Sequence, residues 1–260
     1  MSRFFPLVVR KSAACPALLI TLAALILGAL ALPTPAAAES TINCPAGTYD
    51  MLDWMTLDSD LRSTYHFEGT SNPLYTTVES GKFYWVKGGL GYPWDIQLYD
   101  AKYIYLWITE LAYTVPVSFK KFTNNTNMPF VPRCAVAGTP GSSITVPNTN
   151  YDLHTNCSET CSVTLGLQNA VNEVWGPYTY SFGGDLPNNL KTLVISYRYN
   201  CDANYQNCGD KEAYYLTQRY GVVQWIHFVR IPSTGAYEQL QKTVYNQLVP
   251  GVVPPDFLCF

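Results

Sequence analysis

Short runs rich in Tyr, Val, Ile, Thr and Trp recur along this chain, each bounded by Gly, Pro, Asn or Asp. Such runs, with apolar and polar positions alternating, predict strands at 64–67, 82–87, 95–99, 103–109, 115–119, 162–167, 190–199, 213–218 and 222–231. The segment 237–248 reads two ways. Tyr237, Leu240, Val244 and Leu248 suit one helical face, but Pro232-Ser233-Thr234-Gly235 is turn chemistry leading into a strand, which is favoured. The stretch 129–150, rich in Pro, Gly, Ser, Thr and Asn, predicts a long loop between two groups of strands. The fold class expected is mainly β: an antiparallel β-sandwich or jelly-roll-like domain, with one short C-terminal helix if 237–248 coils. No internal repeat or linker divides 39–260, so these residues are read as a single domain.

The pattern is most informative in Asp95-Ile96-Gln97-Leu98-Tyr99, Asp100-Ala101-Lys102 and Tyr103-Ile104-Tyr105-Leu106-Trp107-Ile108. A hairpin with the three-residue loop 100–102 sets Tyr99 opposite Tyr103, Gln97 opposite Tyr105 and Asp95 opposite Trp107. One face is then aliphatic and belongs to a core. The other gathers Asp95, Gln97, Tyr99, Tyr103, Tyr105 and Trp107, with Trp94 just before it. Rings beside a carboxylate and an amide suit a saccharide, because rings stack on C–H faces while polar groups bond hydroxyls. The plainer reading is packing under loops, since Tyr and Trp favour strands in any case. A second hairpin, turning at Arg219-Tyr220-Gly221, sets Tyr215 opposite Trp225 and Ala213 opposite His227. A histidine so placed is read as packed or hydrogen-bonded.

Composition narrows the class. The chain has 260 residues, 20 of them Tyr, only 13% charged residues and a net charge of −3. An acidic chain without a basic cluster is a poor partner for nucleic acid. Arg3, Arg10 and Lys11 precede the apolar run 13–32, then Pro33-Thr34-Pro35 and the small-residue triplet Ala36-Ala37-Ala38. This predicts a signal peptide over 1–38, a secreted or periplasmic protein, and no membrane insertion after cleavage. An uncleaved anchor is the alternative weighed; Pro16 and the cleavage triplet argue against it.

Cysteine usage agrees with export. Seven cysteines follow the signal, and disulfides are their default in an oxidising compartment. Cys157 with Cys161 and Cys201 with Cys208 are spaced to close small loops, and Cys44 has Cys134 or Cys259 within its choice. A metal site from His154, Cys157 and Cys161 has no recognised zinc spacing, so none is expected.

Recognisable catalytic motifs are missing: no G-x-S-x-G, H-E-x-x-H or P-loop occurs. Catalytic candidates are Asp95, with Glu68 and His66 alternating on one predicted strand. No cofactor is expected. The reading favoured is an extracytoplasmic, lectin-like carbohydrate-binding protein whose partner is a carbohydrate or other extracellular ligand. The alternatives are a polysaccharide-degrading hydrolase or lyase on the same scaffold, or a non-catalytic protein-interaction domain.

Overall fold

The computed structural model describes residues 42–70, 73–79, 81–87, 93–112, 117–122, 128–157 and 161–251. The predicted signal peptide and Cys259 lie outside these residues, as do the side chains of Trp94 and Cys157. Two antiparallel meanders make up the structure. The first comprises β2 (Tyr65–Gly69), β3 (Leu74–Glu79), β4 (Lys82–Lys87), β5 (Pro93–Tyr99), β6 (Tyr103–Ala112) and β7 (Val117–Phe122). The second comprises β10 (Ser143–Cys157), β11 (Ser162–Tyr180), β12 (Leu190–Cys201), β13 (Cys208–Thr217), β14 (Gly221–Arg230) and β15 (Tyr237–Pro250). Strand β8 (Met128–Pro132) pairs with the first half of β6 as β7 does with the second. The two therefore act as one interrupted strand along a single edge. The pairs β7–β10 and β15–β2 join the meanders end to end.

The result is a closed twelve-strand antiparallel barrel, not the expected sandwich. Alternation of apolar and polar positions is the same in both architectures. What separates them is whether the outermost strands of the two groups find one another, and no local pattern encodes that. The predicted loop 129–150 does join the two groups, but it holds β8, the short β9 (Cys134–Ala135), which pairs with β1 (Tyr49–Asp50), and the start of β10. Segment 237–248 lies within β15, a strand throughout.

Eight strands already enclose enough room for packed side chains, so twelve must be filled by large residues or by a plug. Both are present. Phe83, Trp85, Phe122, Phe130, Tyr214 and Tyr245 are buried in the interior core. One end is stopped by α1 (Met51–Met55), whose Met51, Leu52, Trp54 and Met55 are all buried. Asp50 caps this helix by accepting from Leu52 N at 3.0 Å, and Thr56 Oγ1 donates to Leu52 O at 2.7 Å. Trp85 Nε1 donates to Met55 O at 2.9 Å, tying plug to wall. Arg133, 1% exposed, forks onto both Asp50 oxygens and stacks over Tyr99 at 5.1 Å. After α1, a bridge from Leu57 to Tyr220 fastens the plug to the β13–β14 turn.

Disulfides Cys44–Cys134 and Cys201–Cys208 are formed, and Cys161 is disulfide-bonded as well. Bonds of this kind belong to an oxidising compartment. Among the described residues no helix is long and apolar enough to cross a membrane.

Candidate functional site

The β5–β6 hairpin does not have the expected register. Asp100 Oδ1 accepts from Lys102 N at 2.7 Å and Tyr103 N at 2.8 Å, and Asp100 N donates to Tyr103 O at 3.1 Å. Asp100 and Tyr103 thus close the turn themselves, leaving Ala101 and Lys102 as a two-residue loop. Tyr99 then lies opposite Ile104, Leu98 opposite Tyr105 and Gln97 opposite Leu106. A bulge at Trp107 resets the pairing to Ile96 with Ile108 and Asp95 with Thr109.

The shift splits the predicted site in two. Asp95, Gln97 and Tyr99 are buried and face the interior with Ile104 and Leu106. Tyr103, Tyr105 and Trp107 lie outside the barrel. There Tyr103 and Tyr105 meet edge to face at 5.8 Å, and Tyr105 Oη donates to Asp100 Oδ2 at 2.9 Å. Burial and the Asp100 carboxylate push the Tyr105 phenol up to about 12. Trp107 takes the ammonium groups of Lys82 and Lys121 at 5.8 and 5.7 Å and packs on a separate outer cluster with Ile96 and Ile108. Glu68 and His66 also stand on the outer side, since Phe67 between them is in the interior core. His66 stacks on Tyr75 at 4.2 Å, and its Nδ1 is 3.2 Å from Gly251 O. Asp95 is therefore not brought together with His66 or Glu68. His154 stacks on Phe119 at 4.5 Å, and Cys161 is disulfide-bonded; no metal-binding cluster occurs among the described residues.

The second hairpin is also displaced, and here the displacement assembles a site. Arg219 and Gly221 take positive φ of 77° and 64°, and a side chain at Gly221 would meet Thr56 C at 2.9 Å, so the plug dictates the turn. Tyr214 then lies opposite Trp225 and Glu212 opposite His227. Along β13, Asp210, Glu212 and Tyr214 share the inward face; along β12, Tyr197 and Tyr199; along β14, Trp225 and His227.

Glu212 is the centre of this group. It accepts from Tyr199 Oη at 3.0 Å, Trp225 Nε1 at 2.9 Å and Tyr214 Oη. Burial, reinforced by the Glu212 charge, holds the phenols of Tyr197, Tyr199 and Tyr214 far above the ordinary phenol range. The Asp95 charge acts on Tyr197 and Tyr214 too, which sets it across the same space. From β7, Lys120 enters at 7% exposure. Its Nζ donates to Gln168 Oε1 at 2.7 Å and sits 4.9 Å and 5.3 Å from the Tyr151 and Tyr199 rings. Desolvation lowers the Lys120 pKa, while Glu212 and Asp210 pull it back up. Gln168 Nε2 donates in turn to Tyr197 Oη. Nearer the Cys201–Cys208 end, Asp210 accepts from Asn200 Nδ2 at 2.7 Å and faces His227 Nε2 at 3.3 Å.

The interior is thus graded along its axis. The α1 end is filled by the apolar side chains of the plug and the buried Arg133–Asp50 ion pair. The opposite half is lined by carboxylates, a lysine, two amides and rings, and its outermost members Tyr151, Tyr199, Asp210, Glu212 and His227 are only half-buried. Gln97 is fully buried, and neither of its amide atoms has a hydrogen-bond partner among the described residues. The sequence reading passed over Lys120, Gln168, Tyr199, Asp210 and Glu212. The available signal was the alternation Tyr197-x-Tyr199, Asp210-x-Glu212-x-Tyr214 and Trp225-x-His227, three polar-aromatic runs on neighbouring strands. No known protein family, curated protein or solved structure matches this chain.

Proposed function

We propose that the protein binds a small saccharide in the polar half of its barrel, outside the cytoplasm. The observation that carries this is the half-buried set of Tyr151, Tyr199, Glu212, Asp210 and His227 at the end away from α1. Rings supply stacking faces for C–H surfaces, carboxylates accept from hydroxyls, and the Lys120 ammonium donates. Support also comes from Gln97, whose unpartnered buried amide leaves polar capacity in the wall for a ligand or for water to satisfy. The disulfides fit export to an oxidising space, secreted or periplasmic.

Binding is favoured over hydrolysis. Glycoside cleavage needs two carboxyl groups flanking one accessible bond. Asp95 is fully buried, and Glu68 and His66 stand on the other side of the wall. Of the two carboxylates in the polar half, Asp210 is held below the ordinary carboxylate range by His227 and Asn200, against the wants of a general acid, and Glu212 already accepts from Tyr199, Tyr214 and Trp225.

Trp225 donates to Glu212, so a ligand engaging Glu212 alters indole emission. In a fluorescence titration against mono- and oligosaccharides, a saturable change is expected from at least one sugar. Tyr199→Ala should weaken it at least about tenfold, a loss of about 1.4 kcal/mol, whereas Trp107→Ala, outside the barrel, should leave it intact. The reverse pattern, or silence across the panel, sinks the proposal.

A further inference from the structure

The second meander contains one strand longer than its neighbour. Strand β11 pairs with β10 from Ser162 onward, but its pairing with β12 begins only at Ala170 opposite Tyr199. At Asn200 the backbone takes φ 56° and β12 turns into its disulfide-closed hairpin. Residues 162–169 therefore have a sheet partner on one side only. Among the described residues no strand pairs with their other edge.

That edge carries none of the usual protection. Isolated edges are normally blunted by charge, proline or a bulge. From Cys161 to Asn172 the chain has no Asp, Glu, Lys, Arg or Pro, and the pairing with β10 is regular from Ser162 to Gln168. On the inward face, Gly166 is covered by the Tyr151 ring, whose atoms lie 2.3–2.6 Å from where a side chain would begin. The outward face shows Val163, Leu165 and Leu167 at 54%, 72% and 62% exposure. Unpaired backbone beside an apolar stripe calls for another strand, not for a loose apolar surface.

We infer that the 162–169 edge pairs with the same edge of a second copy of this chain, antiparallel about a two-fold axis through Leu165. The sequence is self-complementary for this operation: Leu165 meets Leu165, and Val163 meets Leu167 on both sides of the axis. No charge opposes a like charge across the seam, because neither edge has one. A lipid surface fits less well, since Asp152 is the cross-strand partner of Leu165 and its carboxylate would be carried into the apolar phase. Eight residues of strand and three apolar side chains fall short of the roughly 800 Å² per partner of a standard interface. The dimer accordingly dissociates on dilution through the micromolar range.

Sedimentation velocity over a concentration series tests this. The protein should pass from monomer to dimer with concentration, and Leu165→Lys, at a position too exposed to disturb the fold, should weaken association at least about tenfold. Mild oxidation of Leu165→Cys should cross-link two chains through residue 165, while Leu167→Cys, displaced from the axis, should not. A protein monomeric at every concentration overturns the inference, as does dimerisation unchanged by Leu165→Lys. Vesicle binding by a protein that stays monomeric overturns it too.

Discussion

Asp210 and His227 meet at the rim of the polar half, each about a fifth to a quarter exposed. The hydrogen bond to Asp210 raises the His227 pKa above its ordinary 6.5 against the opposing effect of burial. The same bond, with that from Asn200, lowers Asp210 below its ordinary 3.8. His227 therefore contributes stability that is complete below pH about 6.5 and lost as pH rises through its folded value. Asp210 contributes above pH about 3.8 and loses it as pH falls through its own lower value. Urea midpoints are expected to fall between about pH 6 and pH 8 by the equivalent of under 1 kcal/mol, as for a partly solvated pair. His227→Gln should flatten that portion of the profile; an unchanged slope in the variant assigns the effect elsewhere. At this scale the sequence was partly legible. A packed, hydrogen-bonded His227 follows from its strand context, and the stapling of Cys201 to Cys208 from spacing alone. The role of Glu212 does not, because nothing local says that Tyr199, Tyr214 and Trp225 from three strands all aim at one carboxylate.

Strands were legible where hydrophobic alternation is strong, and β4 matches its predicted span residue for residue. Registers were not. Both informative hairpins are displaced by turn chemistry and by a bulge, Asp100 setting one turn and plug contacts at Gly221 the other. Because side chains alternate, one residue of displacement moves a ring from wall to exterior, which is what separates Tyr99 from Tyr103. Strand β10 was hidden behind Pro147 and several Asn and Thr residues that read as loop. Where register is fixed by close approach, it is sensitive to a single methyl. A Cβ on Gly69 would lie 1.7 Å from Val244 O, where β2 meets β15. Gly69→Ala is expected to lower unfolding free energy by about 3 kcal/mol. Gly209→Ala, whose nearest contact would be 3.6 Å, serves as the neutral control. Equal urea midpoints for the two variants would show that the seam yields easily.

At the scale of the molecule, the two assigned disulfides differ in what they enclose. Cys44–Cys134 closes a loop with a sequence separation of 90, holding the whole first meander, while Cys201–Cys208 spans 7 residues at one hairpin tip. By the chain-entropy account, removing them as Cys→Ser pairs costs about 4.5 and about 2.5 kcal/mol respectively. Chemical unfolding of the two variants should rank them in that order, and the reverse order would mean that native contacts, not loop closure, dominate. Closure itself was illegible in the sequence for the same long-range reason. The bond between β2 and the chain just after β15, His66 to Gly251, spans 185 residues. A ring whose first and last staves are neighbours cannot be completed in part. Until β15 is in place the β2 edge has no mate, so closure of the barrel waits on that strand and comes all at once.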